Sequence, residues 1–201
     1  MLDAGVRRLI DPPLDAAARR LARAGLRADA ITLGGLAVGL AAIPFLALEW
    51  YAAALAAILV NRLADGLDGA VARQTGPTDL GGYLDIVCDY LFYAAVPFGF
   101  ALARPENALA AAFLIFAFMG TGASFLAYAI LAAKRGIVTA HQGSKAFFYL
   151  GGLTEGTETI AAFVAFCLFP DAFAALAYGF GALCWVTTLS RMAAAGRSFG
   201  D

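Results

Sequence analysis

Six long apolar runs divide this chain, and short polar segments separate them. Each run is close to the roughly 20 residues that a helix needs to cross a bilayer core, and none alternates like a membrane β-strand. An open sheet would leave backbone groups unpaired in lipid. The pattern therefore predicts an all-α integral membrane protein, one domain over 1–201, with a six-helix bundle over 30–193 whose transmembrane helices cover 30–48, 51–72, 82–103, 107–133, 146–169 and 172–193.

The segment before the first run, residues 1–29, is basic and amphipathic. After a break expected at Pro12-Pro13, an apolar stripe with helical spacing opposes several arginines; its members are Leu14, Ala17, Ala18 and Leu21. This pattern is typical of a short helix lying on a membrane surface, although a solvated basic leader would share its charge. Asp29 is expected to cap the first spanning helix. No cleavable signal peptide is evident.

The distribution of charge predicts an orientation. Apolar residues make up 62% of the chain and charged residues 14%, which excludes an ordinary soluble domain. The termini and the loops after the second and fourth helices share one side, with Arg62 and Arg73 at its boundary; that side has 13 of the 14 lysines and arginines, and the other has Arg104 alone. By the positive-inside rule, both termini face the cytoplasm. No nucleic-acid partner is expected, and Cys88, Cys167 and Cys184 are interpreted as small core residues.

Four aspartates on the predicted second and third helices are the strongest chemical signal. Asp65 and Asp68 are spaced i, i+3, and Asp85 and Asp89 are spaced i, i+4, so each pair shares a helix face. A short loop predicts that the two helices pack antiparallel, which brings both pairs together near the cytoplasmic side. Converging carboxylates repel one another unless cations neutralise them. Their hard oxygen ligands suit Mg²⁺, Mn²⁺ or Ca²⁺ rather than zinc or copper, and two such ions could clamp a phosphate.

A purely structural role for these acids, as partners of nearby arginines, does not account for all four of them. Arg62 and Arg73 lie close by and could pair with them, but two guanidinium groups cannot neutralise four carboxylates. Gly69 and Ala72 leave little bulk on the helix, so a ligand could approach its backbone. Arg73 offers a fork of donors suited to a diphosphate.

These residues also carry a family resemblance. The spacing resembles the signature of the CDP-alcohol phosphatidyltransferases, and it reads Asp65-x-x-Asp68-Gly69-x-x-Ala72-Arg73 followed by Gly81-x-x-x-Asp85-x-x-x-Asp89. One departure is that seven residues separate Arg73 from Gly81 where the family usually has eight. The leader and tail resemble an uncharacterised bacterial inner-membrane branch of this family, through stretches such as 147–159.

The resemblance implies a divalent-metal enzyme that displaces CMP from a CDP-linked donor, expected to be CDP-diacylglycerol, using an alcohol acceptor. Two Mg²⁺ or Mn²⁺ ions would then be held by Asp65, Asp68, Asp85 and Asp89. Asp89 would also be the base that takes the acceptor's proton. The nucleotide and diphosphate would be bound by Asp65, Gly69, Ala72, Arg73 and Gly81. It also implies a homodimer, for which the pairs Gly35/Gly39 and Gly152/Gly156 are weak support because they suit packing within one chain equally well.

A divalent-cation transporter or sensor is the alternative from another class. It would explain acids inside a membrane. It does not explain the glycine, alanine and arginine that accompany them, since a cation path gains nothing from Arg73.

A second set of polar residues lies on the predicted fifth helix. Glu155 and Glu158 are spaced i, i+3, and counting from Lys145 places them well below the cytoplasmic boundary. They either pair with threonines or an arginine to fix the bundle, or they line the acceptor side of the site with Lys145 nearer its mouth. Carboxylates there would disfavour a phosphorylated acceptor, although Lys145 and Arg135 could still admit a phosphate at the rim. His141 is interpreted as a solvated loop residue.

Overall fold

The structure, a computed structural model, describes the backbone of residues 3–136 and 153–200 and the side chains of residues 12–136 and 153–200. Within these ranges every regular element is helical, which confirms the predicted class. The helices are α1 Asp3–Arg23, α2 Ala28–Leu40, α3 Ala42–Ala47, α4 Tyr51–Thr75, α5 Asp79–Ala103, α6 Ala108–Lys134, α7 Gly156–Leu168 and α8 Phe173–Phe199. Short 3₁₀ turns precede α6 and α8.

Four helical stretches of the described chain are long and apolar enough to cross a membrane. They are Ala28–Ala47, Asp79–Ala103, Pro105–Lys134 and Pro170–Phe199, and they match the first, third, fourth and sixth predicted runs. The second run forms α4, a 25-residue helix that carries the charged motif. The fifth run contains the 13-residue α7, and residues 146–152 of that run lie outside the described part. The count of six spans therefore stays a prediction.

Two expected local features near the N-terminus are wrong. The helix does not break at Pro12-Pro13, because α1 continues through both prolines to Arg23. The following turns are docked, since buried Ala18 packs with Ala70 and Val71 of α4. Asp29 does not cap α2, because the extended backbone of Arg27 starts this helix earlier and leaves Asp29 in its first turn.

The first apolar run is interrupted rather than continuous. Ala41 separates α2 from α3, and Pro44 follows within α3. Proline has no backbone N–H, so the carbonyl four residues earlier, on Leu40, loses its usual helical partner. The two helices still form one apolar stretch.

The arrangement of α4 and α5 differs from the expected direct packing. A loop of residues 76–78 joins them, but their backbones make almost no close approach, and α2 packs against both helices instead. Contact between α4 and α5 is made by long side chains such as Arg62, which reaches Asp89. The helices therefore leave a gap that their polar side chains enter.

Close glycine contacts seat α2 between these helices. A Cβ on Gly35 would lie 2.7 Å from Ala64 Cβ of α4, and one on Gly39 would lie 2.7 Å from the Phe92 ring of α5. Both glycines are therefore used inside the chain, and Gly152 lies outside the described residues.

An aromatic core holds α5 to α7 and α8. Phe92, Phe100, Phe163, Phe166 and Phe173 are fully buried or nearly so, and the Phe100 and Phe173 rings stack at 4.3 Å between centroids. Cys88, Cys167 and Cys184 are buried free thiols, which confirms their interpretation as core residues. This core fixes α5, which carries two of the motif aspartates.

An ion-pair cluster joins the inter-helix segments at the opposite end from residues 76–78. Arg104 lies 2.9 Å from Glu49 and 2.6 Å from Asp171. Hydrogen bonds from Arg104 hold the pKa of the exposed Glu49 carboxyl below its usual value. The cluster links the ends of α3, α5 and the turn before α8.

Candidate metal and catalytic site

Three of the four motif aspartates converge in the gap between α4 and α5. Asp65, Asp68 and Asp85 each offer a carboxylate oxygen, and these oxygens lie within 4.8 Å of one another. Asp68 is buried, Asp65 is partly buried and Asp85 is exposed, so the cluster opens outward. Three hard oxygen ligands at this spacing fit Mg²⁺ or Mn²⁺.

A hydroxyl from α2 orients the buried member of the cluster. Thr32 Oγ1 lies 2.5 Å from Asp68 Oδ2 and 3.1 Å from the Ala28 carbonyl oxygen. A hydroxyl has one proton, and the shorter distance assigns its donation to the Asp68 carboxylate. The other Asp68 oxygen is left to turn toward the cluster.

The fourth aspartate has a different partner. Asp89 lies one helical turn beyond Asp85 on α5, and its Oδ1 accepts a hydrogen bond of 2.9 Å from Arg62 Nη1. The same nitrogen lies 3.7 Å from Asp65 Oδ2. Three of the four carboxylates that were expected to converge therefore do so. The fourth, Asp89, is linked to Asp65 through the Arg62 guanidinium.

The Arg62 guanidinium is held by neutral groups as well as acids. Its Nε and Nη2 donate to Asn61 Oδ1 at 2.8 and 2.5 Å, and Asn61 Nδ2 donates to the Gly35 carbonyl at 2.8 Å. The guanidinium carbon lies 4.4 Å from the Phe92 ring centroid and 5.4 Å from that of Tyr93. Arg62 is 9% exposed, so its position is fixed on several sides.

The predicted diphosphate ligands lie along the end of α4 and the start of α5. Arg73 is half-exposed, and its Nη2 lies 3.3 Å from Asp15 of α1. A Cβ on Gly69 would make an ordinary contact of 3.6 Å with Arg73 Nη1, so the guanidinium lies beside Gly69, and Ala72 adds little bulk to the same helix. Gly81 donates its N–H to Thr78 Oγ1, which caps α5.

A cavity of about 130 Å³ is lined by residues of α5, α6, α7 and α8, among them Tyr90, which follows Asp89 in the sequence. Tyr90 and Tyr93 of α5 line one side, and Arg191 of α8 and Glu155 line others, together with Thr121 of α6. Arg191 is 9% exposed and donates to the Thr121 carbonyl oxygen at 3.0 Å. The cavity is therefore lined by both a basic and an acidic residue.

Glu155 and Glu158 occupy the start of α7 rather than its interior. Glu155 is the N-cap, and the side chains of the two residues form a reciprocal capping box, with Glu158 Oε2 accepting from Glu155 N at 3.1 Å. Thr154 adds a bond of 2.9 Å to Thr187 of α8. Lys145 and His141 lie outside the described residues.

The comparisons with known proteins agree with the motif. The sequence model of the CDP-alcohol phosphatidyltransferases matches residues 26–191, which is most of the chain. The chain belongs to this family. It is also 58% identical over 193 residues to the inner membrane protein YnjF of Escherichia coli (strain K12), covering 96% of this chain and 94% of that protein.

Solved structures show the same transferase fold. The phosphatidylinositol phosphate synthase PgsA1 of Mycobacterium tuberculosis with CDP-DAG bound aligns with a TM-score of 0.71 at 21% identity, covering 89% of this chain and 91% of that one. Its structure in complex with manganese and citrate aligns with a TM-score of 0.65 at 22% identity, covering 89% and 87%. The eight motif positions, from Asp65 to Asp89, therefore lie in a chain with this fold.

Sequence reasoning missed three contributors to the candidate site and the cavity. Thr32 and Asn61 are polar residues in apolar helices, and Arg191 is a charge near the end of one. Each lies among apolar neighbours, where a polar side chain is costly unless it is paired. That cost was the available signal, but the partners lie on other helices and cannot be identified from spacing.

Proposed function

We propose that the chain transfers a phosphatidyl group from CDP-diacylglycerol to the hydroxyl of an alcohol acceptor and releases CMP. The convergence of the Asp65, Asp68 and Asp85 carboxylates within 4.8 Å carries the proposal. Family membership supports the reaction class. The CDP-DAG complex of the mycobacterial relative supports the donor.

The three converging aspartates would hold a divalent ion, and the proposal gives the site two Mg²⁺ or Mn²⁺ ions with Asp89 at the second. The manganese complex of the relative supports a divalent cofactor. Such ions neutralise charge on phosphate oxygens during displacement. Asp65, Gly69, Ala72, Arg73 and Gly81 would bind the nucleotide and diphosphate of the donor, with Arg73 leaving Asp15 to do so.

Asp89 is the proposed general base. The acceptor oxygen forms a bond to the donor's β-phosphorus, the bond from that phosphorus to the oxygen of CMP breaks, and CMP leaves with its phosphate. The Asp89 carboxylate takes the acceptor's hydroxyl proton. Arg62 holds Asp89 Oδ1, which leaves Oδ2 for the acceptor.

The cavity beside Tyr90 is the proposed acceptor site, with Glu155, Glu158 and Lys145 as the candidate residues from the sequence. Glu155 supports hydroxyl or amine recognition. Arg191, which lines the same cavity, adds a positive charge to those that the sequence argument placed at its rim, so a phosphorylated alcohol is compatible with the site. Glu158 acts through Glu155, since its carboxylate bonds to the Glu155 backbone.

The proposed setting is the bacterial inner membrane, with six spans, α1 on the membrane surface and a homodimeric assembly. Similarity to an inner membrane protein supports the location. The arginine distribution supports cytoplasmic termini and a cytoplasmic active site. Cysteine labels introduced at 76–78 would react from the cytoplasmic side alone, and periplasmic reaction would contradict this orientation.

The direct test is release of labelled CMP from CDP-diacylglycerol by purified protein with Mg²⁺ or Mn²⁺. The acceptor panel comprises glycerol phosphate, serine, inositol phosphate and a phospholipid alcohol, and a parallel arm offers diacylglycerol with soluble CDP-alcohols. We expect CMP release with at least one acceptor and none from Asp85→Asn. Release in the soluble CDP-alcohol arm alone would replace the donor, and no release in either arm would overturn the proposal.

A further inference from the structure

We infer that Arg62 takes the place of a second cation at Asp89, so that the donor-free protein binds one divalent ion tightly at Asp65, Asp68 and Asp85. The inference rests on the proposed metal-dependent function and refines its number of ions. Arg62 Nη1 lies 2.9 Å from Asp89 Oδ1 and 3.7 Å from Asp65 Oδ2. One guanidinium thus joins an acid of the three-residue cluster to the acid outside it.

Neutral groups as well as acids hold the Arg62 guanidinium in position. Asn61 Oδ1 accepts two of its N–H groups, and Asn61 is itself tied to the Gly35 carbonyl of α2. The Phe92 ring lies 4.4 Å away, on the face that favours a cation. A guanidinium held this way stays beside Asp89 whether or not an ion is present.

The charges of these side chains determine how many divalent ions the protein binds when no donor is present. Arg62 and Asp89 form a nearly neutral pair, which leaves Asp89 little net charge with which to hold a divalent ion. A second divalent ion at Asp89 would lie against a guanidinium in a poorly solvated gap, where like charges repel strongly. The donor's diphosphate brings further negative charge, so a second ion becomes favourable when the donor binds.

The test is a count of bound Mn²⁺ by electron paramagnetic resonance, with the protein in nanodiscs of uncharged lipid and no donor present. We expect one tight ion per chain in the wild type and two in Arg62→Gln. Arg73→Gln is the matched control, because Arg73 lies on the same helix but pairs with Asp15; its count should stay at one. Two tight ions in the wild type, or a count of one in Arg62→Gln, would overturn the inference.

A second variant covers the case in which Arg62→Gln does not fold. Asp89→Asn should keep a count of one, since Arg62 already occupies that carboxylate. A fall to zero would make Asp89 a ligand of the tight ion and contradict the inference. CMP release from the same wild-type preparation separates the two proposals. If the protein releases CMP but binds two tight ions without donor, only the role of Arg62 is refuted. If it binds one ion and releases no CMP, only the proposed function is refuted.

Discussion

Two pairs of acids in this chain share the same spacing and differ completely in their use. Asp65 and Asp68 on α4, and Glu155 and Glu158 at α7, are each spaced i, i+3. The aspartates turn away from their own helix and meet Asp85 of α5. The glutamates turn back onto their own helix and cap its first turn.

Position along the helix explains the difference. Asp65 and Asp68 lie well inside α4, where the helix's own carbonyl groups occupy the backbone N–H groups, so their carboxylates need partners elsewhere. Glu155 and Glu158 lie where the first N–H groups of a helix have no internal partner, and a capping box satisfies two of them. An acidic pair thus indicates a binding site more strongly in a helix interior than at a helix start.

The largest effect should come from the interior cluster. Asp85→Asn removes one of three converging ligands, so we expect turnover to disappear and Mn²⁺ affinity to fall strongly. Asp68→Asn should act alike. The measurement is CMP release with a parallel Mn²⁺ titration, and Asp79→Asn, an exposed acid in the first turn of the same helix, is the control that should retain both. Wild-type turnover by Asp85→Asn in excess chelator would remove the cluster from the chemistry.

Asp89→Asn should separate chemistry from binding. Loss of a general base lowers kcat by roughly 10²- to 10⁴-fold, whereas the donor contacts the other motif residues. Because Asp89 would reach the donor only through the second ion, we expect the Kd for CDP-diacylglycerol to rise far less than kcat falls. Equal losses in kcat and in donor affinity would make Asp89 a donor-binding residue instead.

Thr32→Val tests the orientation of Asp68 at nearly constant side-chain volume. Loss of a group that orients a metal ligand typically costs about 10- to 100-fold in metal affinity or activity. Thr32→Ser keeps the hydroxyl and should restore most of the Mn²⁺ affinity, which an effect of packing alone would not do. An unchanged Mn²⁺ titration in Thr32→Val would show that Asp68 needs no such support.

The smallest effects should come from the capping pair. Glu158→Ala should lower the free energy of unfolding by about 1 kcal/mol through loss of half the capping box, and Glu158→Gln should retain it, because glutamine also caps at this position. Glu155→Gln should raise the acceptor KM and leave the donor KM nearly unchanged, since Glu155 lines the cavity. Normal kinetics with every acceptor would make Glu155 a capping residue only.

The sequence was sufficient for features set by local pattern and insufficient for those set by packing between helices. The apolar runs predicted the helical class, and the aspartate spacing predicted three ligands that do converge. The spacing could not reveal that α2 lies between α4 and α5, or that Arg62 reaches Asp89, because both depend on how closely Gly35 and Gly39 let helices approach. The start of α7 was predicted too early, because the apolar run begins at residue 146, before the capping box of Glu155 and Glu158.

Metal-dependent binding of CDP-diacylglycerol tests the central claim most directly. The measurement is the Kd of the purified protein for this lipid, with Mn²⁺ and with excess chelator, for the wild type and Asp85→Asn. If the site is a metal-assisted transferase site, the wild type binds the lipid tightly only when Mn²⁺ is present. Asp85→Asn then binds it weakly both with Mn²⁺ and with chelator. Tight lipid binding that is unchanged by chelator and by Asp85→Asn would contradict the central claim. So would Mn²⁺ uptake into vesicles by a protein that does not bind the lipid.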